Sequence, residues 1–225
     1  MPITVKTNQH AEQVFELQSC GAKQAHEIHV EKNGTFKGVA LLWDMRDCDV
    51  SFVIDLDEGA ETELYALVAG SARERGSLLV RMNHRGVRSK GRASIKAVLA
   101  ESAQLRFTGM IQIQKQAQKA QSYLREDVLL LSEHARSWGK PQLEIEANNV
   151  CASHGSTVGR MDNKQLQYLA SRGISEEQGK KMIVEGFAGS VLEHIKDEKI
   201  KDKLLADVNC HLAGAHRPPS AKPGN

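Results

Sequence analysis

Cys151, Ser153 and His154 stand together ahead of Gly155, inside the string QLEIEANNVCASHGSTVGRMDNKQLQYLASRGI of residues 142–174. An imidazole can ligate a transition metal or move a proton near neutral pH. A thiolate can ligate soft metals or act as a nucleophile. Two plainer readings stand beside these: a histidine that hydrogen-bonds at a strand end, and a cysteine that packs as a small hydrophobe. Side chains alternate along a strand, so Cys151 and His154 are expected on opposite faces.

Other reactive residue types give weaker signals. Cys20, Cys48 and Cys210 are widely spaced without a CxxC pair. They are read as packing residues in a reducing compartment, with no disulfide framework and no structural zinc site. His26 and His29 form an HxxH pair whose members point to opposite sides of a strand. Glu133-His134 reads as surface. Arg85, Arg88, Lys90 and Arg92 form a basic cluster without interleaved aromatics, which reads as a turn with solvated charges. Asp44, Asp47, Asp49, Asp55 and Asp57 are the dense acidic group, and their alternation suits solvated edges. The sequence has neither a GxxxxGK[ST] phosphate loop nor a GxSxG elbow.

The elements that must position Cys151 and His154 are mostly strands. Residues 26–130 carry eight short segments with the period-two signal, from HEIHVEK to DVLLLS. Polar or glycine-bearing joints separate them, such as NGT at 33–35, DEGA at 57–60 and SKGR at 89–92. No helical pattern interrupts the series, which argues against a doubly wound sheet. Asn33-Gly34 is the one clear two-residue hairpin signal. Scarce hairpins favour strands that coil forward into a parallel β-helix over a sandwich or barrel. All five prolines lie at 2, 141, 218, 219 and 223, so residues 3–140 can donate throughout a ladder. Aromatics are only 4% of the chain, which suits rungs of small aliphatic side chains.

The pattern changes after residue 160. Asp162 with Gln165 and Ser175 with Gln178 read as helix N-caps with capping-box partners. Gly173 reads as the stop of the first helix. Ile183, Phe187, Val191 and Ile195 form one apolar stripe, and Ile200, Leu204, Val208 and Leu212 form another. The expected organisation is a β-helix core at 1–160, a helical domain at 161–213 and a disordered tail at 214–225. The net charge of +2 gives no footprint for nucleic acid. The N-terminus has no apolar signal core, and no window approaches a membrane span, so a cytoplasmic protein is expected.

Four pieces of the chain resemble the SufB/SufD family of iron–sulfur cluster assembly scaffolds: VIDLDEGAETEL at 53–64, residues 83–135, KPQLEIEANNVCASHGSTVGRMDNKQLQYLASRGIS at 140–175, and MIVEGFAGSV at 182–191. The third is the most specific. The resemblance implies a mainly β fold, a right-handed parallel β-helix with a C-terminal α-helical appendage. It implies a non-catalytic scaffold subunit that pairs with a SufB-like subunit, or with itself, through the β-helix. A SufC-like ABC ATPase would bind the C-terminal helices and perform ATP hydrolysis. A transient iron–sulfur cluster would form at the shared interface, with flavin left open.

The SHG string is similar to the SufD type, whose histidine takes part in cluster assembly; His154 inherits that role as a candidate iron ligand. SufB-type chains carry His-Glu at His154-Gly155 and a cluster-related cysteine near the position of Glu126. The SufD string has its cysteine two residues before the histidine, where this chain has Ala152; Cys151 stands one residue earlier as a weak ligand candidate. The N-terminal helical region of longer members has no counterpart, which suggests a short SufD-type member. Two rivals remain: a regulatory paralogue that binds the ATPase without cluster, and a polysaccharide-active β-helix enzyme, which needs paired carboxylates or a calcium site on one face.

Overall fold

The computed structural model describes residues 2–18 and 23–212; Cys20 and the expected tail lie outside the described residues. Twelve strands form two six-stranded sheets. One holds β1 (Ile3–Val5), β3 (Lys23–Val30), β5 (Cys48–Leu56), β7 (Arg75–His84), β9 (Gln104–Ile113) and β11 (Arg136–Ile145), in that order. The other holds β2 (His10–Gln18), β4 (Thr35–Trp43), β6 (Glu61–Gly70), β8 (Lys90–Leu99), β10 (Gln121–Leu130) and β12 (Cys151–Arg160). All pairings are parallel and in register, so Leu64 stacks on Ala93, Ala93 on Leu124, and Leu124 on His154. The chain is therefore a parallel β-helix, in which each strand pairs with the one a full coil away.

Alternation fills the interior. Phe36, Leu64, Ile95, Phe52, Val80 and Phe107 point inward and are essentially inaccessible to solvent. Small rungs such as Ala66 and Ala97 sit among larger ones, which lets the coils close with few aromatics. Two strands and much of the last two coils exceed the sequence reading: β1 and β2 precede the eight segments, and residues 151–160 are a full strand. Pro141 lies within β11, the terminal strand of its sheet, where a missing donor leaves no ladder bond unmade.

The joints stack as well. Asn8, Asn33, Gly59, Arg88 and Lys119 all take positive φ, and the backbone N–H at each donates to the next coil. Asparagine and glycine enter this region readily, whereas arginine and lysine do so at a cost. Gly86 has a different reason for being glycine: a Cβ there would lie 2.0 Å from the backbone nitrogen of Glu58.

Three of the four residues of the basic cluster pair with acids one coil earlier, while Arg92 lies over the Tyr123 ring. Arg85 pairs with Asp55, Arg88 with Glu58 and Lys90 with Glu61, each at 2.7 Å. Asp57 meets His29 at 2.8 Å, Asp49 accepts from Ser77, and Asp44 pairs with Arg46. The acidic group is thus divided among individual partners. His26 points inward and stacks on Phe52, while His29 points outward.

Helices α1 (Asn163–Ser171), α2 (Glu176–Leu192) and α3 (Glu198–Leu212) follow β12. Asp162 caps α1 by accepting from the Lys164 N–H, Ser175 and Gln178 form a complete capping box, and Gly173 takes φ +82°. Helices α2 and α3 do not form a core of their own. Val184, Ala188, Val191, Leu192, Ile195, Leu204 and Val208 are buried, most of them against Val39, Leu41, Trp43, Tyr65 and Leu67 on the outer face of β4 and β6. Lys196 and Lys203 add ion pairs to Glu12 and Glu16 of β2. This second core is where the apolar stripes of these helices are spent. Without α2 and α3, β4 and β6 would expose a contiguous apolar face.

Cys48 also departs from the sequence reading. It is buried at the start of β5 and disulfide-bonded, not an isolated packing residue.

Two stability tests follow from this core. Gly86→Ala should destabilise the fold by about 3 kcal/mol, because backbone must move to admit the methyl group; an unchanged midpoint in denaturant unfolding would refute the close approach. His84 is fully buried, donates from Nδ1 to Ser89 Oγ, and has a pKa pushed down to about 4 by desolvation. The unfolded chain takes up that proton near pH 6.5, so stability is complete above this pH and is lost as pH falls toward 4. The loss is of order 3 kcal/mol. Stability curves for wild type and His84→Gln should converge in slope only above about pH 6.5; parallel slopes through the acid range would disprove the buried neutral imidazole.

Candidate functional site

The strand β12 sorts the candidate residues by face. Ala152, His154 and Ser156 continue the inward columns of β10, while Cys151, Ser153 and Gly155 face out. His154 lies in mid-strand, not at a strand end. Its ring crosses the interior to the facing sheet, where Nε2 lies 3.0 Å from the Gly109 carbonyl. A carbonyl oxygen only accepts, so Nε2 carries the proton and Nδ1 holds the free lone pair. Nδ1 is buried and has no hydrogen-bond partner. Burial lowers the pKa of His154, and the Gly109 contact partly offsets this.

Gly109 makes the crossing possible. A Cβ at that position would lie 2.3 Å from His154 Nε2. Gly139 on β11 does the same for a second pair: its Cβ would lie 2.5 Å from both Glu126 Oε2 and Ser156 Oγ. Ser156 Oγ donates to Glu126 Oε2 at 2.6 Å. Glu126 is fully buried on β10, and its Oε1 has no partner. Desolvation raises its pKa; the Ser156 hydrogen bond opposes that shift and the nearby Asp127 adds to it. Two glycines on one wall thus leave room for two polar side chains on the other. The sequence drew attention to His154 but marked Glu126 only by its position.

Cys151 does not join this arrangement. Its thiol is exposed on the outer face, with Sγ 3.2 Å from the Tyr123 hydroxyl. Ser153 and Gly155 line an outer groove of about 620 Å³ between the sheet and α2, together with Tyr65, Arg92, Tyr123 and His194. The strand backbone separates that groove from His154. Among the described residues, no three His, Cys, Asp or Glu side chains converge in a way that could hold a metal ion.

The coil bearing His154 is the last one, and its interior is open. Leu143, Ile145 and Val158 occupy inward columns, yet they are 49%, 42% and 47% exposed. Earlier residues of the same columns, such as Met82, Ile111 and Val128, are buried. His154 therefore sits at the mouth of the solenoid, half covered by protein.

The chain matches the family model described as SUF system FeS cluster assembly, SufBD core domain, over residues 4–187. It is 37% identical over 122 residues to the iron–sulfur cluster assembly protein SufD of Escherichia coli, covering 54% of this chain and 29% of that protein. It is 32% identical over 151 residues to SufD of Bacillus subtilis, covering 67% and 35%. An iron–sulfur cluster assembly SufBD family protein of Synechocystis is 32% identical over 115 residues, covering 51% and 25%. The chain thus spans about a third of the length of these curated relatives. Since the family model covers all twelve strands together with α1 and most of α2, the chain belongs to the SufB/SufD family of the SUF iron–sulfur cluster assembly system, on its SufD side.

Proposed function

We propose that this protein is a non-catalytic scaffold subunit on which an iron–sulfur cluster is assembled transiently, with ATP hydrolysis supplied by a SufC-like ABC ATPase. The observation that carries the reading is His154: a neutral imidazole with Nδ1 unpartnered, held at the open end of the solenoid. Imidazole ligates iron well, and a metal-ligating histidine commonly anchors its other nitrogen on a backbone carbonyl. A cluster also needs thiolates, and Cys151 faces away from His154. The thiolates therefore come from a partner docked on the mouth.

The exposed Leu143, Ile145 and Val158 support that docking, because apolar side chains in an unfinished core gain by being covered. A SufB-like β-helix, or a second copy, can extend the coil by pairing with β11 and β12. The rival enzyme reading lacks a motivating site, since Asp44, Asp49, Asp55 and Asp57 are engaged with separate partners. The orientation of Cys151 is the observation that favours a paralogue binding the ATPase without cluster. A cytoplasmic location fits a partner that draws on ATP, and no described helix is long and apolar enough to cross a membrane.

ATPase binding is assigned to the free side of the appendage. The inner side of α2 and α3 is spent on β4 and β6, but Tyr168 and Met182 are exposed, and a shallow apolar groove lies between Leu169 and Ile183.

Two experiments test the proposal. His154→Ala should leave thermal stability and partner assembly intact while impairing cluster formation, with iron, sulfide and flavin measured on complexes isolated without oxygen. Normal cluster content, or loss through unfolding, would make the paralogue the better description. Separately, Tyr168→Glu with Met182→Glu should abolish co-purification of the ATPase without lowering the melting temperature; retained ATPase would move the contact elsewhere.

A further inference from the structure

Two buried acceptor atoms at the solenoid mouth have no donor: Nδ1 of His154 and Oε1 of Glu126. Burying such an atom unsatisfied is costly; His84 Nε2 is another in this chain, but these two occupy neighbouring inward positions at the open end of the solenoid. The register shows how they relate. His154 stacks on Leu124, and Ser156 stacks on Glu126, so His154 and Glu126 are diagonal neighbours on the inward face of β10 and β12. Diagonal partners on one face are roughly 7–8 Å apart at Cα, within joint reach of two long side chains.

Each side chain is held by its other polar atom. The Gly109 carbonyl fixes the imidazole through Nε2–H, and Ser156 fixes the carboxyl through Oε2. Gly109 and Gly139 on the facing sheet supply the space, and any larger residue would displace the groups. In the earlier coils the equivalent inward positions are apolar: Ala40, Ala66 and Ile95 precede Glu126 in its column. A carboxyl group thus enters an aliphatic column at the coil adjoining the histidine.

We propose that Glu126 is a second ligand at the His154 site, and that Oε1 and Nδ1 together bind a divalent transition-metal cation of the ferrous type. The inference rests on the scaffold reading and adds to it a residue and a preference. One imidazole with one carboxylate favours a hard or borderline divalent ion with bound water over a fully thiolate-held cluster. Two protein ligands make a half-site, whose remaining positions face the open mouth and are filled by water or by the partner. Glu126 ligates as the carboxylate, any proton on it passing to solvent; the neutral His154 releases none, and no electron is transferred.

Cobalt(II) is the probe, titrated without oxygen into the purified full chain and read by its visible d–d absorption, with no partner present. Wild type should bind saturably. Glu126→Gln, which keeps an acceptor for Ser156, should weaken binding roughly tenfold or more at unchanged melting temperature. His154→Ala should weaken it comparably, and the double variant reports residual binding by surface histidines. If Glu126→Gln does not fold, Glu126→Asp gives the same reading, because it withdraws the carboxylate from the diagonal. Cobalt affinity equal to wild type in a folded Glu126 variant overturns the inference. If His154→Ala alone loses cobalt, Glu126 is excluded while the scaffold reading stands. If the double variant binds as wild type does, the pair is no site. Failure of partner assembly or of cluster formation in the companion experiment leaves the cobalt result unaffected, so the two readings fail separately.

Discussion

The in-register parallel ladder is the constraint on which this molecule depends. Each backbone N–H and C=O in a strand is satisfied by the coil before or after it. Such a ladder cannot close on itself as a barrel does, so it ends with unpaired edges. Everything distinctive about the chain follows from how the ladder is filled, covered and ended. Filling is by aliphatic columns, so glycine and alanine recur where larger rungs lie opposite. Ending leaves β11 and β12 as terminal strands, with backbone groups on one side and inward side chains on the last coil both free to meet a partner.

Covering explains why the helices are where they are. Strands β4 and β6 are apolar on both faces, unlike β5 or β9, which alternate cleanly. A strand buried on both sides reads as a near-continuous apolar run. FKGVALLW and ETELYALVAG carry that signal, and α2 and α3 answer it with a shared second core. The appendage is thereby part of the solenoid's wall. A movement imposed on its outer side would be transmitted to β6 and β8 through packed side chains, not through a flexible joint.

Much of this was legible in the sequence, for identifiable reasons. Period-two segments, scarce hairpin signals and the absence of proline between residues 3 and 140 pointed to forward-coiling strands. The serine–glutamine capping box marked α2, and Gly173 marked the end of α1. What stayed hidden depends on coil stacking. Glu126 meets Ser156 and Arg88 meets Glu58 across 30 residues, whereas His29 meets Asp57 across 28, so the coil length varies along the chain. No fixed repeat in the chain reveals those contacts. His154 could be nominated from its string, but its inward direction required the register of β12 on β10.

The placement of polarity within the solenoid is selective in a way that bears on function. In the middle coils, a carboxylate on an inward column would be surrounded by aliphatic rungs above and below, with neither water nor counter-ion in reach. His84 shows what that environment demands: it is neutral, with its one proton given to Ser89. At the last coil the cost of burial is smaller, because the interior opens to solvent or to a partner. His154 and Glu126 lie at that boundary, deep enough for the facing sheet to fix their geometry and near enough to the mouth for an ion to reach them. The same opening leaves Leu143, Ile145 and Val158 uncovered, so on the proposed scaffold reading a partner that covered this apolar surface would also meet the ligand set. On the proposed reading, docking and metal capture are coupled because both fall at the end of the ladder.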